Sequence, residues 1–371
     1  MLLSIVCVDC KKNKPSKYGK VSAQISMLNI YKINTFLSSR KQARQFDKYF
    51  SDLYNKQIFS GVALVSKKGT VIYKNAFGLA NRKSHEKLKP DYAFQIGSAT
   101  KQFTSVSILM LLQQRKIALE DSIQKYFPLF PYKNISILTL LTHRSGLPNY
   151  IYFCDTLVTD KFKLLTNADV VNIMCSNFPK QYYNSNKDYH YCNTNYVLLA
   201  AIVEKVSGNT FEKFVHDNIL QKTGMPHSFF YSELEKFNYI KKATGYLSPK
   251  IEAGFFYLNG VTGDKGIFST VDDLQKWDLS LYSDCLVRKD ILNKAFTPQT
   301  KTRRYNIFYG FGWKMYFLKD STQVLFHSGW WQGYQSVIIR IPKDSTAIII
   351  LKNKRTPHPV DQRKIMDILY P

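Results

Sequence analysis

The sequence predicts a mixed α/β (α+β) chain in which one sheet is assembled from both ends, with a helical region inserted between them. Three observations carry this. FSGVALVSKKGTVIYKNAFG, early in the chain, reads as two strands joined at a Lys67–Gly69 turn, an antiparallel hairpin. The end of the chain returns to strands, with FGWKMYFL, TQVLFHSGW, QSVIIRI and TAIIILKN in succession. Between the two, residues 150–225 read mainly as helices with long loops, and no internal repeat marks a second domain.

Taken in order, Leu2 to Val8 is a short apolar run like a secretory h-region, though without a leading positive charge. Cys10 follows, ahead of the basic stretch KKNKPSKYGK. That arrangement suits a lipid-attached cysteine before a polar tether, against which Asp9 is an unusual neighbour for lipoprotein processing. Residues 1–33 are therefore read as a signal-like segment and tether, and residues 34–371 as a single domain with a helical lobe at about 115–255. From Asn34 to Lys56, Phe36, Phe46, Phe50 and Leu53 fall near one helical face. A charged loop closed by Pro90 leads into FQIGSATKQFTSVSILMLLQ, a strand end followed by a helix too apolar all round for the surface. ISILTLLTHRSGLPNY gives a short helix ending at Ser145-Gly146, and YVLLAAIVEKVSG a strong one stopped by Gly208. GDKGIFSTVDDLQKWDLSL gives a loop and a helix capped by Ser269 or Thr270, and a last helix runs near Val360 to Leu369.

Among 371 residues the formal net charge is +25. The Lys and Arg are spread along the whole chain and accompany no nucleic-acid motif, so a solvated basic surface is expected rather than a specific nucleic-acid partner. Peripheral attachment to an anionic surface stays compatible with that charge. The six cysteines form no regular framework, and Cys7-x-x-Cys10 lacks a second pair. No apolar run approaches the roughly 18–20 residues that span a bilayer.

Three constellations carry chemistry. Ser98 and Lys101 stand one turn apart where the buried helix begins, so the amine can take the hydroxyl proton. Unpaired N–H groups at that helix start favour a developing negative charge. The S-x-x-K spacing also occurs at Ser38, Ser84 and Ser122, none of which opens an apolar helix after a strand. Tyr191 and Asn193 precede the Tyr196 helix. A phenol beside the pair can exchange protons, its pKa falling if cations surround it, and the amide can hold the lysine or a substrate carbonyl. His327-Ser328-Gly329-Trp330 follows the apolar run VLF. Gly329 lets a substrate backbone approach, and the N–H groups of Trp330 and Ser98 together would form an oxyanion hole. His327 would bind a substrate carboxylate or assist proton transfer, titrating near neutrality. Lys222-Thr223-Gly224 imitates a further motif of such sites, but its position after FEKFVHDNIL marks it as a helix end.

With those motifs in that order, the chain resembles the serine β-lactamase-related hydrolases, nearest the class C β-lactamase, DD-peptidase and esterase group. The likeness covers roughly residues 40–371. LLTHRSGLPNY, YCNTNYVLLAAIVEKVSG, GDKGIFSTVDDLQKW and YGFGW each look like a segment of that family. The resemblance implies a β-lactamase/transpeptidase-like fold, an antiparallel sheet flanked by helices beside a helical lobe, with the site between them. It also implies acyl-enzyme chemistry without metal or organic cofactor. Ser98 would attack a carbonyl, Lys101 with Tyr191 would move protons, and Asn193, His327, Ser328, Gly329 and Trp330 would bind the substrate. The substrate class is a peptide, amide or ester, peptidoglycan-derived material included, and the location a cell envelope or periplasm. His327 stands where most class C β-lactamases have lysine, which points to peptidase, amidase or esterase activity instead. Cys192 takes the usual serine position between Tyr191 and Asn193. The competing reading is a non-catalytic penicillin-binding or sensor protein of the same fold. A basic surface-binding protein is a third.

Overall fold

The computed structural model describes residues 36–304, 306–356 and 360–371. The expected signal-like segment, with Cys7 and Cys10, lies outside the described residues, as does the side chain of Phe36. Five helices matter to the site and its support: α1 (Phe36–Asn55), α2 (Lys101–Gln113), α3 (Thr194–Ser207), α4 (Val271–Ser280) and α5 (Gln362–Leu369). The N-terminal hairpin is β1 (Gly61–Lys67) and β2 (Thr70–Phe77), turning through Lys68-Gly69. Six more strands follow late in the chain: β3 (Thr300–Lys301), β4 (Phe308–Tyr309), β5 (Lys314–Phe317), β6 (Gln323–Trp331), β7 (Tyr334–Ile341) and β8 (Thr346–Lys352).

These eight strands form one sheet in the order β3-β4-β5-β6-β7-β8-β1-β2, antiparallel throughout. The seam between the two ends of the chain is β8 on β1, with Val62 opposite Leu351 and Leu64 opposite Ile349. β8 reads as an unbroken apolar run because both of its faces are covered. Ile348 and Ile350, with Ala63 and Val65 of β1, pack under Phe46 and Phe50 of α1 and Ile365 and Leu369 of α5. Ile349 and Leu351 face the larger core around α2. Each such Val, Ile, Leu or Phe side chain contributes about 1.5–3 kcal/mol by leaving water.

α2 is buried from Lys101 to Leu111, as its all-round apolar character predicts. Phe103 stacks on Trp277 of α4 at 4.1 Å, and the Trp277 indole donates to Gln102 at 3.0 Å. α4 is capped by Thr270, whose hydroxyl accepts from the Asp273 N–H at 3.2 Å. α3 lies along α2 and brings Asn193 to its N-terminus. One expected helix is shorter than its sequence suggests. It spans only Ile137–Leu141, closed at its start by a Ser136/Thr139 capping box. His143 then takes a left-handed conformation (φ 56°), which stops the helix, and its side chain is fully buried. Among the described residues no helix is long and apolar enough to cross a membrane.

Candidate active site

A short strand, Phe94–Gln95, ends just before a single 3-10 turn at Gly97–Thr100, and α2 begins at Lys101. Ser98 therefore sits in the turn ahead of the α-helix rather than in its first turn. The Lys101 amine is 3.2 Å from Ser98 Oγ, 2.9 Å from Asn193 Oδ1 and 2.9 Å from the Asp264 carbonyl oxygen. A neutral amine carries two N–H groups and one lone pair. The Asn193 and Asp264 oxygens only accept, so they take the two N–H groups and leave the lone pair for the Ser98 hydroxyl. Burial pulls the pKa of Lys101 down to about 8, against the opposing pull of Asp264 and of Cys192.

The Tyr191 phenol faces Ser98, whose hydroxyl acts on its titration. Its ring lies 5.0 Å from the Lys101 amine and 5.5 Å from that of Lys314. The expected fall in its pKa does not occur. Burial raises it well above the usual phenol value, with the Ser98 hydroxyl only partly offsetting this. Tyr191 is 37% exposed, and with its pKa raised it is a neutral phenol beside the nucleophile.

The nucleophile turn is packed directly on β6. A side-chain carbon at Gly329 would fall 1.9 Å from the Ile96 carbonyl oxygen, and one at Gly97 would fall 2.8 Å from the Trp330 nitrogen. Gly97 also adopts φ +53°. Ser336 Oγ donates to the Ile96 carbonyl at 2.6 Å and fixes the approach. The backbone ahead of Ser98 thus runs against Gly329 and Trp330, where two N–H groups can converge on one oxygen. β5 stops pairing with β6 at Phe326, so from His327 onward β6 has a strand on its β7 edge only. Ser328 is exposed, Trp330 is 47% exposed, and both line the cleft.

His327 does not occupy the place expected of it. It is fully buried, off the cleft wall, with both ring nitrogens engaged: Nδ1 lies 2.8 Å from the Ser328 carbonyl oxygen and Nε2 3.4 Å from the Tyr309 hydroxyl. Since that carbonyl can only accept, the proton belongs on Nδ1 and Nε2 accepts. Burial first, then the charges of Lys314 and Lys101, push its pKa well below the usual imidazole value. His327 is therefore neutral and has no free nitrogen for a substrate carboxylate. The Tyr309 hydroxyl also meets His143 Nε2 at 3.2 Å, and His143 Nδ1 accepts from the Cys192 N–H at 3.2 Å. A closed neutral chain, His143 to Tyr309 to His327, runs behind Tyr191, whose ring lies 4.3 Å from that of His143.

The cation at the cleft is supplied by the adjacent strand. Lys314 of β5 lines it, held near pKa 8 by burial and by the charges of Arg304 and Lys101. The cavity, about 1160 Å³, also carries Lys265, Arg303 and Arg304, and Asp264 is the one acidic side chain among its described lining residues. Lys222-Thr223-Gly224 closes a helical run and is absent from this lining.

Residues 45–370 match the family described as Beta-lactamase. Penicillin-binding protein 4* of Bacillus subtilis (strain 168) is 30% identical over 330 residues, covering 85% of this chain and 72% of that protein. The chain belongs to the beta-lactamase family. The octameric penicillin-binding protein homologue from Pyrococcus abyssi matches with a TM-score of 0.76 at 26% identity, over 87% of this chain and 76% of that one. The D-amino acid amidase from Ochrobactrum anthropi SV3 matches in fold, with a TM-score of 0.74 at 19% identity, over 89% of this chain and 98% of that one. The antiparallel sheet flanked by helices is the fold of this family of serine hydrolases.

Within this beta-lactamase-family site, sequence reasoning singles out none of Lys314, Asp264, Lys265, His143 or Tyr309. Each stands in, or directly beside, a segment that carries the resemblance: LLTHRSGLPNY, GDKGIFSTVDDLQKW or YGFGW. A polar residue inside an otherwise apolar or glycine-rich segment was the available signal.

Proposed function

We propose that this protein hydrolyses a peptide, amide or ester through an acyl-enzyme on Ser98. The observation that carries this reading is the Lys101 amine, buried, 3.2 Å from Ser98 Oγ and held by two acceptors on its other sides. Lys101 takes the hydroxyl proton as Ser98 attacks, and the Trp330 and Ser98 N–H groups receive the oxyanion. Tyr191, a neutral phenol beside Ser98, passes the proton towards the departing group. Water then repeats the sequence on the acyl-serine.

The wall chemistry narrows the substrate. Lys314, Arg303 and Arg304 favour an anionic group on it, and the open edge of β6 suits an extended main chain. A peptide or ester bearing a free carboxylate near the scissile bond combines both features, with Lys314 rather than His327 opposite that carboxylate. A cell-envelope location belongs to the same proposal, supported by the relative named for penicillin binding.

Intact-protein mass spectrometry after incubation with a fluorophosphonate, and separately with a penicillin, tests the reading against a Ser98→Ala control. A stoichiometric adduct on Ser98 is expected. Labelling by penicillin as well would point to a peptidase-like pocket, and by fluorophosphonate alone to an amidase or esterase. No adduct from either, in folded protein, would overturn the catalytic reading in favour of a binding or sensor role.

A further inference from the structure

The cleft holds a second buried amine that the chemistry above leaves unused. Lys265 is 2% exposed and directly follows Asp264, also 2% exposed, in the turn before the strand Ile267–Ser269. Asp264 faces two ways. Its main-chain carbonyl accepts from the Lys101 amine at 2.9 Å. Its carboxylate accepts from the Tyr150 phenol at 3.1 and 3.3 Å and lies 3.6 Å from the Lys265 amine. Lys265 donates to the Val261 carbonyl at 2.8 Å and sits over the rings of Trp331, at 4.7 Å, and Tyr150, at 5.4 Å.

Two buried amines thus meet at one residue, Lys265 at the Asp264 carboxylate and Lys101 at its main-chain carbonyl, and both feel the one carboxylate charge. Burying an ammonium is costly unless a partner offsets it, and one carboxylate offsets only one of them. We infer that Asp264 and Lys265 form an electrostatic pair that decides when Lys101 is neutral, and so when Ser98 can be deprotonated. This rests on the serine–lysine reading above.

The other groups around the two amines do not substitute for the pair. Lys101 also faces the rings of Tyr191 and Tyr196, the Cys192 thiol and the Lys314 ammonium, and the buried His143 and His327 feel its charge. Lys265 faces Tyr150, Trp331 and the Cys154 thiol. Among the described residues, Asp264 is the one carboxylate whose charge acts on both. Burial draws Lys265 down to about 8, opposed by Asp264 and reinforced by the charge of Lys101, so a proton on one amine opposes a proton on the other.

The sign follows. With Lys265→Met, the Asp264 charge acts on Lys101 alone, and Lys101 keeps its proton to higher pH. With Asp264→Asn, Lys101 loses an attractive charge and sheds its proton at lower pH. The experiment is the rate of fluorophosphonate labelling at Ser98 as a function of pH, with near-ultraviolet circular dichroism to select native-like variants. The low-pH limb is expected to move up by about one pH unit in Lys265→Met and down in Asp264→Asn. Lys265→Gln repeats the first test with a different neutral side chain. Lys265→Arg, which keeps the charge, leaves the limb near its wild-type place. Displacement in opposite directions is something a merely loosened site does not produce. Limbs that coincide with wild type, or that move the same way in both variants, overturn the inference. Wild-type protein with no adduct at any pH is a separate result: it overturns the serine–lysine reading, and the pair with it.

Discussion

Lys101 shows how a residue type acquires a function from its surroundings. A lysine in water is protonated at neutral pH and cannot act as a base. Here it is enclosed, its pKa falls to about 8, and its two carbonyl partners leave the lone pair for Ser98. Replacing Lys101 by Ala should abolish turnover, by about 10²–10⁴-fold or more, while circular dichroism stays native. Because the neutral amine is the active form, kcat/KM should rise about tenfold per pH unit below the Lys101 pKa, near 8, and flatten above it. The buried, neutral His327 adds no inflection near the usual imidazole range, so His327→Gln should leave that limb in place. A limb that vanished in His327→Gln would return the histidine to proton transfer. Ser98, Lys101, Tyr191 and Asn193 were legible in the sequence because each pair lies within one turn or one loop. The Lys314 and Asp264 contacts were not, because they form only when segments distant in the chain meet.

At the scale of elements, the site depends on how closely the Gly97–Thr100 turn lies on β6. A Cβ at Gly329 would sit 1.9 Å from a backbone oxygen, which no side-chain rotation relieves, so one backbone or the other must shift. Gly329→Ala should therefore slow labelling of Ser98 by about 10²-fold, the effect of misplacing reacting groups by roughly 1 Å. Pseudo-first-order rates for the two proteins check this, and equal rates would show that the turn and strand need not touch. Behind the same strand, Tyr309→Phe removes the hydroxyl joining His143 to His327 and leaves two buried ring nitrogens unpaired. A loss of about 1–3 kcal/mol in urea unfolding is expected. The long strands were legible from their apolar runs. β3 and β4, two residues each, carry no period to read, and Tyr309 lies in one of them. The contrast in β6 has the same origin. Alternation places Ser328 and Trp330 outward and His327 and Gly329 inward, so a histidine in a recognised motif ends up supporting the site from behind.

For the whole molecule, the sheet is closed by its own termini, and that separates stability from chemistry. One face of β1 and β8 packs on α4, while β6 and β7 carry the nucleophile turn, and the other face is covered by α1 and α5. This division was legible in outline from strands at both ends of the sequence. The pairing of β8 with β1 was not, since register across some 290 residues of chain (Gly61 opposite Lys352) has no local signature. Ile365 and Leu369 of α5 are fully buried against Ile348 and Ile350, on the face away from Ser98. Truncating either to Ala should cost about 2–5 kcal/mol, because the rigid sheet beneath cannot collapse into the space left. The pair should cost somewhat less than the sum, as the two share neighbours. Activity per folded molecule should be unchanged, since neither Ile365 nor Leu369 lines the cavity that holds Ser98. Urea unfolding monitored by tryptophan fluorescence, set beside Ser98 labelling in the absence of urea, reads both quantities on one sample. Lowered stability with a wild-type labelling rate would show that the terminal helices hold the sheet together without shaping the site. A labelling rate that fell in step with stability would mean that strain on the outer face reaches β6, and that the sheet is a less rigid platform than its packing on both faces implies.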